Sequence, residues 1–568
     1  MYDLIIKGGT VIDGSGDAPV TADVAINGEK IVEVGQVTGK AHRTIDAKGA
    51  LVTPGWVDVH THYDGQATWD PILAPSSWHG VTTAVMGNCG VGFAPVRPTA
   101  HQFLIELMEG VEDIPGAALS EGIDWQWESF GEYLDALDRK ARTIDIGTHV
   151  PHGAVRAYVM GDRCNDKDAQ PTVAELAAMQ DEVRKGMIAG ALGFSSSRTW
   201  LHTDKKGVHV PGTFAGGDEM LALGLAMKGL KHGVFEMVSD HLGGDEEWSW
   251  VKAFIRETGR PVTLVATSAA AYENNKMYNI AEDARREGFE VRPQMAGRPT
   301  GVLHGLQSNF HVFLRHPTFM SELVNLPLEA KVTRMRQPEI RAKLLSETSS
   351  ITMTMLGVPL DQLLWQVFPL GDRPNYEPDR EQSVAGIAAK LGKTGFEVMY
   401  DLLLEHDGRE LFYQPLGGYQ TYNFDNFRKS MEHPNVLFGL SDGGAHCGVI
   451  ADAGMATFIM THWGRDRVKG ERMPLEFLVR KLSRDTALAY GLNDRGLLAP
   501  GKLADVNVID FEKLQLSRPE AIYDLPAGGR RLVQRVNGYA HIVKRGQPIF
   551  ANGEHTGALP GRLVRGGV

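Results

Sequence analysis

The segment GWVDVHTHYDG, residues 55–65, opens with alternating apolar residues and ends with two histidines and an aspartate at two-residue spacing. In a β-strand, residues two apart point to the same face, so Asp58, His60 and His62 share one side. If this strand lines a barrel, all three side chains face inward. Both histidines then lie at the C-terminal end of the strand, where barrel enzymes carry their active sites.

Seven further strand-like segments follow, with helical patterns between several of them. They are GVTTAVMGNC (80–89), RTIDIGTHV (142–150), ALGFSSS (191–197), GVFEMVS (233–239), RPVTLVATS (260–268), FEVRPQM (289–295) and NVLFGLSDGG (435–444). One helix is predicted over residues 172–190 behind a Thr172 cap, and another over residues 218–233 with its end at Gly233. Eight strands alternating with helices predict a (β/α)8 barrel of the α/β class.

The two ends of the chain differ in texture from the middle. Short strand-like stretches with turns fill residues 1–54, where Asn27-Gly28 is a strong hairpin signal, and they return in residues 497–568. We therefore predict a small β domain built from 1–54 plus 497–568, beside a barrel domain over 55–496. Residues 297–434 are too many for a loop, so they predict an insertion with its own helices that covers the barrel mouth.

Composition excludes several classes of protein. Of the 568 residues, 43% are hydrophobic and 23% charged, and the formal net charge is −12. A mild negative charge without any basic run argues against a nucleic-acid partner. The sequence has no apolar stretch long enough for a membrane span, no signal-peptide pattern at its start, and cysteines too sparse for a disulfide framework. These features favour the cytoplasm.

Three strand ends carry side chains that suit a metal centre. Imidazoles from His60 and His62 make a natural pair of divalent-metal ligands. Cys89, at the end of the second strand, offers a thiolate, which suits zinc. Asp442, at the end of the eighth strand, would lie beside the first strand once the barrel closes, where it could ligate the metal and exchange a proton with a bound water.

Each of these residues also has a purely structural interpretation. With 20 histidines in the chain, chance alone gives roughly 0.7 His-x-His matches. A lone cysteine is usually a small buried apolar side chain, and an aspartate before two glycines is often a turn residue. The metal site is therefore a hypothesis that depends on the three strand ends meeting.

Longer segments resemble the amidohydrolase superfamily and, within it, the N-acyl-D-amino-acid deacylases, also called D-aminoacylases. The similarity runs nearly end to end, and HGVTTAVMGNCGVGFAPVRP (79–98) is its most specific segment. The others are YDLIIKGGTVIDGSG (2–16), GALVTPGWVDVHTHYD (49–64), HVPGTFA (209–215), SDGGAH (441–446), RGLLAPGKLADVNVID (495–510) and TGALPGRLVR (556–565). The resemblance implies a metal-dependent hydrolase with a (β/α)8 barrel and a small β-sandwich.

The resemblance also implies roles for the four candidate residues. His60 and His62 correspond to the His-x-His metal pair, Cys89 to the cysteine ligand of the family, and Asp442 to the catalytic aspartate of the last strand. We therefore expect a divalent metal, with zinc favoured, held by His60, His62 and Asp442, with Cys89 a ligand or close by.

The sequence departs from the family at two positions. D-aminoacylases resemble one another in carrying a histidine near the end of strand five and another near the end of strand six. Val238 and Ala266 fall at those positions here, and neither side chain can bind a metal. Whether Glu236, Asp240 or His241 replaces a missing ligand stays open, as does the number of metal ions.

The favoured function is hydrolysis of a linear amide, an N-acyl amino acid and above all its D isomer, to a carboxylic acid and a free amino acid. In this scheme Asp442 accepts a proton from water and delivers it to the departing amine. Cyclic amides of the hydantoin or dihydropyrimidine type are the alternative substrates, and a non-catalytic scaffold is the alternative class. The expected partner is a small-molecule amide, and homo-oligomer formation stays open. Arg198, Lys252 and Arg298 could meet a substrate carboxylate, but none is assigned to substrate binding.

Overall fold

The structure is a computed structural model that describes residues 1–266, 276–347 and 359–567. In it, strands from both ends of the chain flank a long central series of strands. The N-terminal strands are β1 (Tyr2–Val11), β2 (Val20–Asn27), β3 (Lys30–Gly35), β4 (Ala41–Asp46) and β5 (Leu51–Pro54). The central strands are β6 (Trp56–Asp58), β7 (Val81–Met86), β8 (Asp145–Pro151), β9 (Gly193–Arg198), β10 (Val234–Ser239), β11 (Val262–Val265), β12 (Val291–Met295), β13 (Gly301–His304), β14 (Phe368–Pro369), β15 (Phe412–Pro415) and β16 (Leu437–Phe438). The C-terminal strands are β17 (Val506–Ile509), β18 (Gln515–Leu516), β19 (Glu520–Leu525), β20 (Gly529–Val533), β21 (Val536–Asn537), β22 (Tyr539–Lys544), β23 (Gln547–Ala551) and β24 (Glu554–His555).

Helices connect the central strands and fill the long insertion. They are α1 (His101–Val111), α2 (Gly116–Gly122), α3 (Phe130–Asp138), α4 (His152–Met160), α5 (Val173–Ala189), α6 (Gly217–Gly224), α7 (Asp245–Thr258), α8 (Lys276–Arg286), α9 (Leu328–Met335), α10 (Pro338–Ser346), α11 (Leu360–Leu363), α12 (Val384–Leu391), α13 (Gly395–Leu403), α14 (Asp425–Met431), α15 (Met455–Phe458), α16 (Leu475–Leu482) and α17 (Arg484–Ala489). In the part of the chain that the structure describes, no helix combines the length and apolar composition needed to cross a bilayer.

Two helix predictions had opposite outcomes. Helix α5 begins at the predicted cap, because the Thr172 hydroxyl accepts from the Glu175 amide and the Glu175 carboxylate accepts from the Thr172 amide. The predicted helix end at Gly233 was wrong. Helix α6 stops at Gly224, and only a short 3-10 turn continues to Met227. Gly229 has a φ of +80°, which a right-handed helix cannot accommodate, so the chain leaves the helix before Gly233.

The central strands build the predicted barrel. Among the described residues, β6 to β12 and β16 form one eight-stranded parallel sheet in which neighbours along the chain pair in space. The first and eighth strands meet through a bridge between Thr61 and Gly443, and the His62 amide donates to the Gly443 carbonyl at 2.8 Å. Each of the eight predicted segments coincides with one of these strands, with β8 and β9 running one residue past their segments, so the (β/α)8 barrel is confirmed. The last two residues of the sixth segment, 267–268, lie outside the described residues.

Both chain ends contribute to a second sheet. Its strand order is β24-β23-β22-β17-β5-β1-β2-β3, with β4 also paired to β1. Antiparallel pairing of β5 with β17 joins residues about 450 positions apart, as in the pairing of Pro54 with Val506. The Asn27-Gly28 signal is confirmed, because β2 and β3 form a hairpin in which Asn27 pairs with Lys30. The domain boundaries at residues 54 and 497 stay predictions.

A buried carboxylate joins the barrel to this terminal sheet. Asp145, at the start of β8, lies 2.9 Å from the Lys544 ammonium at the end of β22. It also lies 2.7 Å from the Arg495 guanidinium and 2.9 Å from that of Arg545. Burial alone would raise the pKa of Asp145, but the three cations outweigh it and lower that pKa. This ion-pair cluster therefore holds the N-terminal end of β8 against the terminal sheet.

The long insertion has its own elements and its own core. Helices α9 to α14 and a small sheet in the order β13-β15-β14 lie within it. The Leu303 amide of β13 donates to the Val449 carbonyl at 2.7 Å, and the Asn309 amide donates to the Gly448 carbonyl at 2.8 Å. The start of the insertion therefore packs against the loop that follows the eighth barrel strand.

Candidate metal centre

The ends of β6, β7 and β16 bring the four predicted side chains together. One ligand atom each from His60, His62 and Cys89 lies within 4.8 Å of the other two. Asp442 Oδ1 lies 3.5 Å from His60 Nε2 and 3.8 Å from His62 Nε2. Both histidines are 1% exposed and Cys89 is 7% exposed, so these three side chains are almost fully buried. The tertiary structure thus meets the condition on which the metal hypothesis depended.

Unusual backbone conformations place two of these side chains. Cys89 has a φ of +55° and Asp442 a φ of +48°, both in the left-handed region that non-glycine residues seldom adopt. Such residues persist where the surrounding structure over-determines them, often at functional sites. At Gly444 a Cβ atom would lie 2.9 Å from the His62 carbonyl oxygen, so glycine is what allows the last-strand loop to approach the first strand this closely.

A glutamine from across the barrel orients His60. Gln294 Oε1 on β12 lies 2.7 Å from His60 Nδ1 and accepts the proton of that ring nitrogen. His60 Nε2 is then left with a lone pair, and it lies 3.4 Å from Cys89 Sγ. Hydrogen bonds of this kind fix the tautomer and orientation of metal-binding histidines. Gln294 was not among the predicted site residues, although its place in the seventh strand segment was the available signal.

A buried glutamate lies behind His62. Glu112, just after α1, places Oε1 3.4 Å from His62 Nδ1 and Oε2 3.5 Å from His446 Nε2. The Glu112 side chain is 2% exposed, so its carboxylate is buried between these two imidazoles. Neither Glu112 nor His446 was among the predicted site residues. Glu112 lies in a helix-to-loop junction with no strand-end pattern, so no local signal pointed to it.

Asp58, which shares the inward face of the first strand segment, lies below the cluster as a support. Its Oδ1 accepts from the His60 amide at 3.2 Å, and its Oδ2 accepts from the Ser441 hydroxyl. Ser441 immediately precedes Asp442, so the Asp58 carboxylate ties the first strand to the eighth at the level of the candidate ligands.

The ends of the fifth and sixth strands hold the two departures from the family pattern. Val238 is half-buried at the end of β10, and Ala266 is buried one residue after β11. Asp240 is exposed and accepts from the Trp200 amide at 2.8 Å and from the Thr199 hydroxyl at 3.0 Å. His241 is half-buried. Among the described residues, neither Asp240 nor His241 belongs to the group of mutually close ligand atoms.

Glu236 is the third alternative ligand, and it lies deeper in the barrel. Its Oε2 accepts from the Cys89 amide at 2.9 Å, and its Oε1 lies 3.9 Å from His60 Nδ1. The side chain is fully buried. Its nearest polar contacts are thus the backbone of one candidate ligand and the far ring nitrogen of another.

Burial governs the protonation of the cluster. It lowers the pKa of His60 to about 4 and that of His62 well below the usual range, so both imidazoles are neutral near pH 7. Burial also raises the pKa of Asp442 to about 8 and that of Cys89 well above its usual range. A divalent cation would reverse the effect on both acids, because it stabilises their charged forms.

The donor set fits a divalent metal of the zinc type. Zinc is held by imidazole nitrogen, thiolate sulfur and carboxylate oxygen, usually with four ligands. His60, His62, Cys89 and Asp442 offer one or two such atoms each and face one another in a buried space. His62 Nδ1 has no hydrogen-bond partner among the described residues, although it lies near Glu112. The set therefore has the chemistry of a metal centre.

Two of the three candidate cations for a substrate carboxylate are already paired with buried acids. Arg198 forms an ion pair with Glu247, and Arg298 is buried 2.6 Å from Asp452 with its guanidinium 4.0 Å from the centre of the Tyr376 ring. Lys252 is exposed on α7. No substrate-binding residue follows from these placements.

Comparison with known proteins identifies relatives that align over almost the whole chain. The profile of the amidohydrolase family matches residues 43–550. D-aminoacylase from Alcaligenes xylosoxydans xylosoxydans is 25% identical over 568 residues, covering 99% of this chain and 97% of that protein. N-acyl-D-aspartate deacylase from the same organism is 25% identical over 573 residues, covering 100% of this chain and 95% of that protein.

A solved structure shares the fold. It is N-acyl-D-glutamate deacylase from Bordetella bronchiseptica, complexed with zinc and a phosphonate inhibitor. The two structures match with a TM-score of 0.63 at 22% identity, covering 99% of each chain. At this identity the likeness establishes the architecture, a barrel with an added β-rich part.

Proposed function

This chain belongs to the amidohydrolase family, and from that membership we propose that it is a metal-dependent hydrolase of N-acyl amino acids, the D isomers in particular. The products are a carboxylic acid and a free amino acid. The observation that carries the proposal is the meeting of His60, His62, Cys89 and Asp442 at one end of the barrel. The aligned D-aminoacylase and N-acyl-D-aspartate deacylase support the substrate class.

The same four side chains are the proposed metal ligands, and zinc is the favoured ion. Two neutral imidazoles, a thiolate and a carboxylate match the ligand preferences of zinc. The zinc in the structure of the Bordetella bronchiseptica relative supports this choice of ion. A bound divalent cation would acidify a water molecule and polarise the carbonyl of the substrate.

Asp442 is the proposed proton carrier. Its side chain is 13% exposed, so it is open to the mouth while its Oδ1 remains within 3.8 Å of both histidines. A water oxygen attacks the amide carbon, and the Asp442 carboxylate accepts the proton that the water loses. When the carbon–nitrogen bond breaks, Asp442 returns that proton to the departing nitrogen, which leaves as the amine.

Other buried groups keep these side chains in place. Gln294 holds the His60 ring through Nδ1, and Glu112 lies against the Nδ1 edge of His62. Both rings present Nε2 towards Asp442. Pre-set ligands of this kind raise the rate because little reorganisation is needed during the reaction.

A substrate panel with metal removal tests the proposal. The purified chain is assayed with matched N-acyl-D- and N-acyl-L-amino acids, a hydantoin and a dihydropyrimidine, before and after chelation and after zinc is restored. We expect release of free amino acid from the N-acyl-D substrates, its loss on chelation and its return with zinc. Turnover of cyclic amides alone would favour the alternative substrate class. The absence of both bound metal and turnover after zinc addition would favour a scaffold and overturn the proposal.

A further inference from the structure

One buried acid next to the candidate centre has no part in the proton transfers. Glu236 lies on β10, the fifth barrel strand, and its side chain is 0% exposed. Its Oε2 accepts a hydrogen bond from the Cys89 amide at 2.9 Å. A buried carboxylate is unfavourable unless its surroundings compensate it, so its retention beside a metal-binding group calls for a physical explanation.

The backbone at Cys89 needs support from outside its own strand. Cys89 is in the left-handed region with a φ of +55°, and it directly precedes Gly90, whose φ is +67°. The Gly90 amide donates to Ser195 Oγ at 3.1 Å, and the Asn88 side chain donates to the Thr61 carbonyl at 3.0 Å. Asn88 and Gly90 are thus hydrogen-bonded to other segments of the barrel, and the corresponding partner of Cys89 is Glu236.

The second carboxylate oxygen of Glu236 shows which neighbouring residue the side chain positions. Oε1 has no hydrogen-bond partner within the described part of the chain. It lies 3.9 Å from His60 Nδ1, but the proton of that nitrogen goes to Gln294 at 2.7 Å. Glu236 therefore does not orient His60. In the described part of the chain the carboxylate accepts one hydrogen bond, from the Cys89 amide, and the Cys89 sulfur lies 3.4 Å from His60 Nε2.

We propose that Glu236 is a positioning residue that holds the Cys89 amide so that the thiol faces the metal position beside His60. The inference rests on the proposed function, because it takes Cys89 to be a ligand. It also gives the fifth strand a role that Val238 cannot supply at the strand end. The strand contributes a carboxylate one layer deeper, which acts through the cysteine instead of contacting the metal.

The test uses the full chain loaded with Co²⁺, because a cobalt–thiolate bond has its own near-ultraviolet charge-transfer absorption. Wild type, Glu236→Gln, Glu236→Leu and Cys89→Ser are compared, with far-ultraviolet circular dichroism to establish that each is folded. Glutamine keeps an oxygen that can accept from the Cys89 amide, whereas leucine has a similar volume and no acceptor. Glu236→Ala serves as a second removal variant if branched leucine does not fit. Thr82→Val is the control, since Thr82 is buried in the wall of the barrel and its hydroxyl forms one hydrogen bond among the described residues, to the Trp56 carbonyl at 3.5 Å.

We expect wild type, Glu236→Gln and Thr82→Val to show the thiolate band, and Cys89→Ser to lack it. Glu236→Leu and Glu236→Ala should lose most of the band and bind cobalt roughly 10–100-fold more weakly. The proposal is overturned if Glu236→Leu and Glu236→Ala keep the thiolate band and the cobalt affinity of wild type. It is also overturned if Glu236→Gln loses as much of the band and of the affinity as Glu236→Leu, or if folded wild type binds cobalt without the band. Failure to hydrolyse N-acyl amino acids would remove the proposed substrate without changing any of these spectra, so the two failures are distinguishable.

Discussion

Replacing Asp145 by asparagine should destabilise the chain more than any comparable surface change. Asp145 is fully buried and faces Lys544, Arg495 and Arg545 at 2.7–2.9 Å. Asparagine preserves the shape of the side chain but removes its charge, so three buried cations lose a shared partner. The contact joins the third barrel strand to the terminal sheet, so its loss weakens the docking of the two.

The magnitude follows from the geometry. At an effective dielectric constant of about 20, each ion contact near 3 Å corresponds to roughly 6 kcal/mol of attraction. Desolvation and repulsion among the cations offset most of this, and breaking a buried ion pair costs about 3–5 kcal/mol net. Lys544 keeps a second partner in Asp505 at 2.7 Å, and Arg495 keeps Asp494 at 2.9 Å. Because these partners remain, we expect the free energy of unfolding to fall by about 3 kcal/mol, the lower end of that range.

Urea unfolding followed by tryptophan fluorescence measures this loss. Asp124→Asn is the matched control, because it removes an ion pair of the same length, 2.9 Å to Lys140, whose side chains are 35% and 38% exposed. The control should lose less than about 1 kcal/mol. If Asp145→Asn unfolds at the same urea concentration as Asp124→Asn, the reasoning about the buried cluster is refuted.

The same variant has a defined pH dependence. The pKa of Asp145 is lowered in the folded chain, while an aspartate in the unfolded chain titrates at about 3.9. A lowered folded pKa contributes stability that is complete above the unfolded pKa and is lost as the pH falls through the folded pKa. The difference in the free energy of unfolding between wild type and Asp145→Asn should therefore be constant from about pH 5 to pH 8 and become smaller below about pH 4. If this difference in the free energy of unfolding became larger on acidification, the lowered pKa of Asp145 in the folded chain would be contradicted.

Three predictions concern the candidate centre. His60→Ala removes one of the close ligand atoms and should lose most of its bound divalent metal in elemental analysis; equal metal in wild type and variant would place the site elsewhere. Asp442→Asn should remain folded and lower kcat by about 10²–10⁴-fold, and near-normal turnover would remove its role as proton carrier. Gln294→Leu removes the acceptor for His60 Nδ1 and should weaken metal binding by roughly 10–100-fold in a chelator competition; Gln294→Glu, which keeps an acceptor, should lose less, and equal losses would argue against the orienting role.

Local periodicity in the sequence was enough to predict the fold. The alternation of strand and helix patterns produced eight segments, and each coincides with one barrel strand to within a residue or a few. The Thr172 cap and the Asn27-Gly28 hairpin were also predictable, because both depend on residues a few positions apart. The predicted helix end at Gly233 was wrong because the segment contains earlier glycines: α6 ends at Gly224, and Gly229 adopts a positive φ.

The candidate ligands could be proposed from the sequence, since a strand end in a barrel implies where a side chain points. The residues that hold these candidate ligands in place could not be predicted from the sequence. Gln294 reaches His60 across 234 positions of the chain, and Glu236 reaches Cys89 across 147. Such contacts depend on barrel closure and strand register, which no short window of sequence contains. The sequence by itself determined the strands and the metal-binding residue types, whereas only the tertiary structure decided which buried polar groups support them.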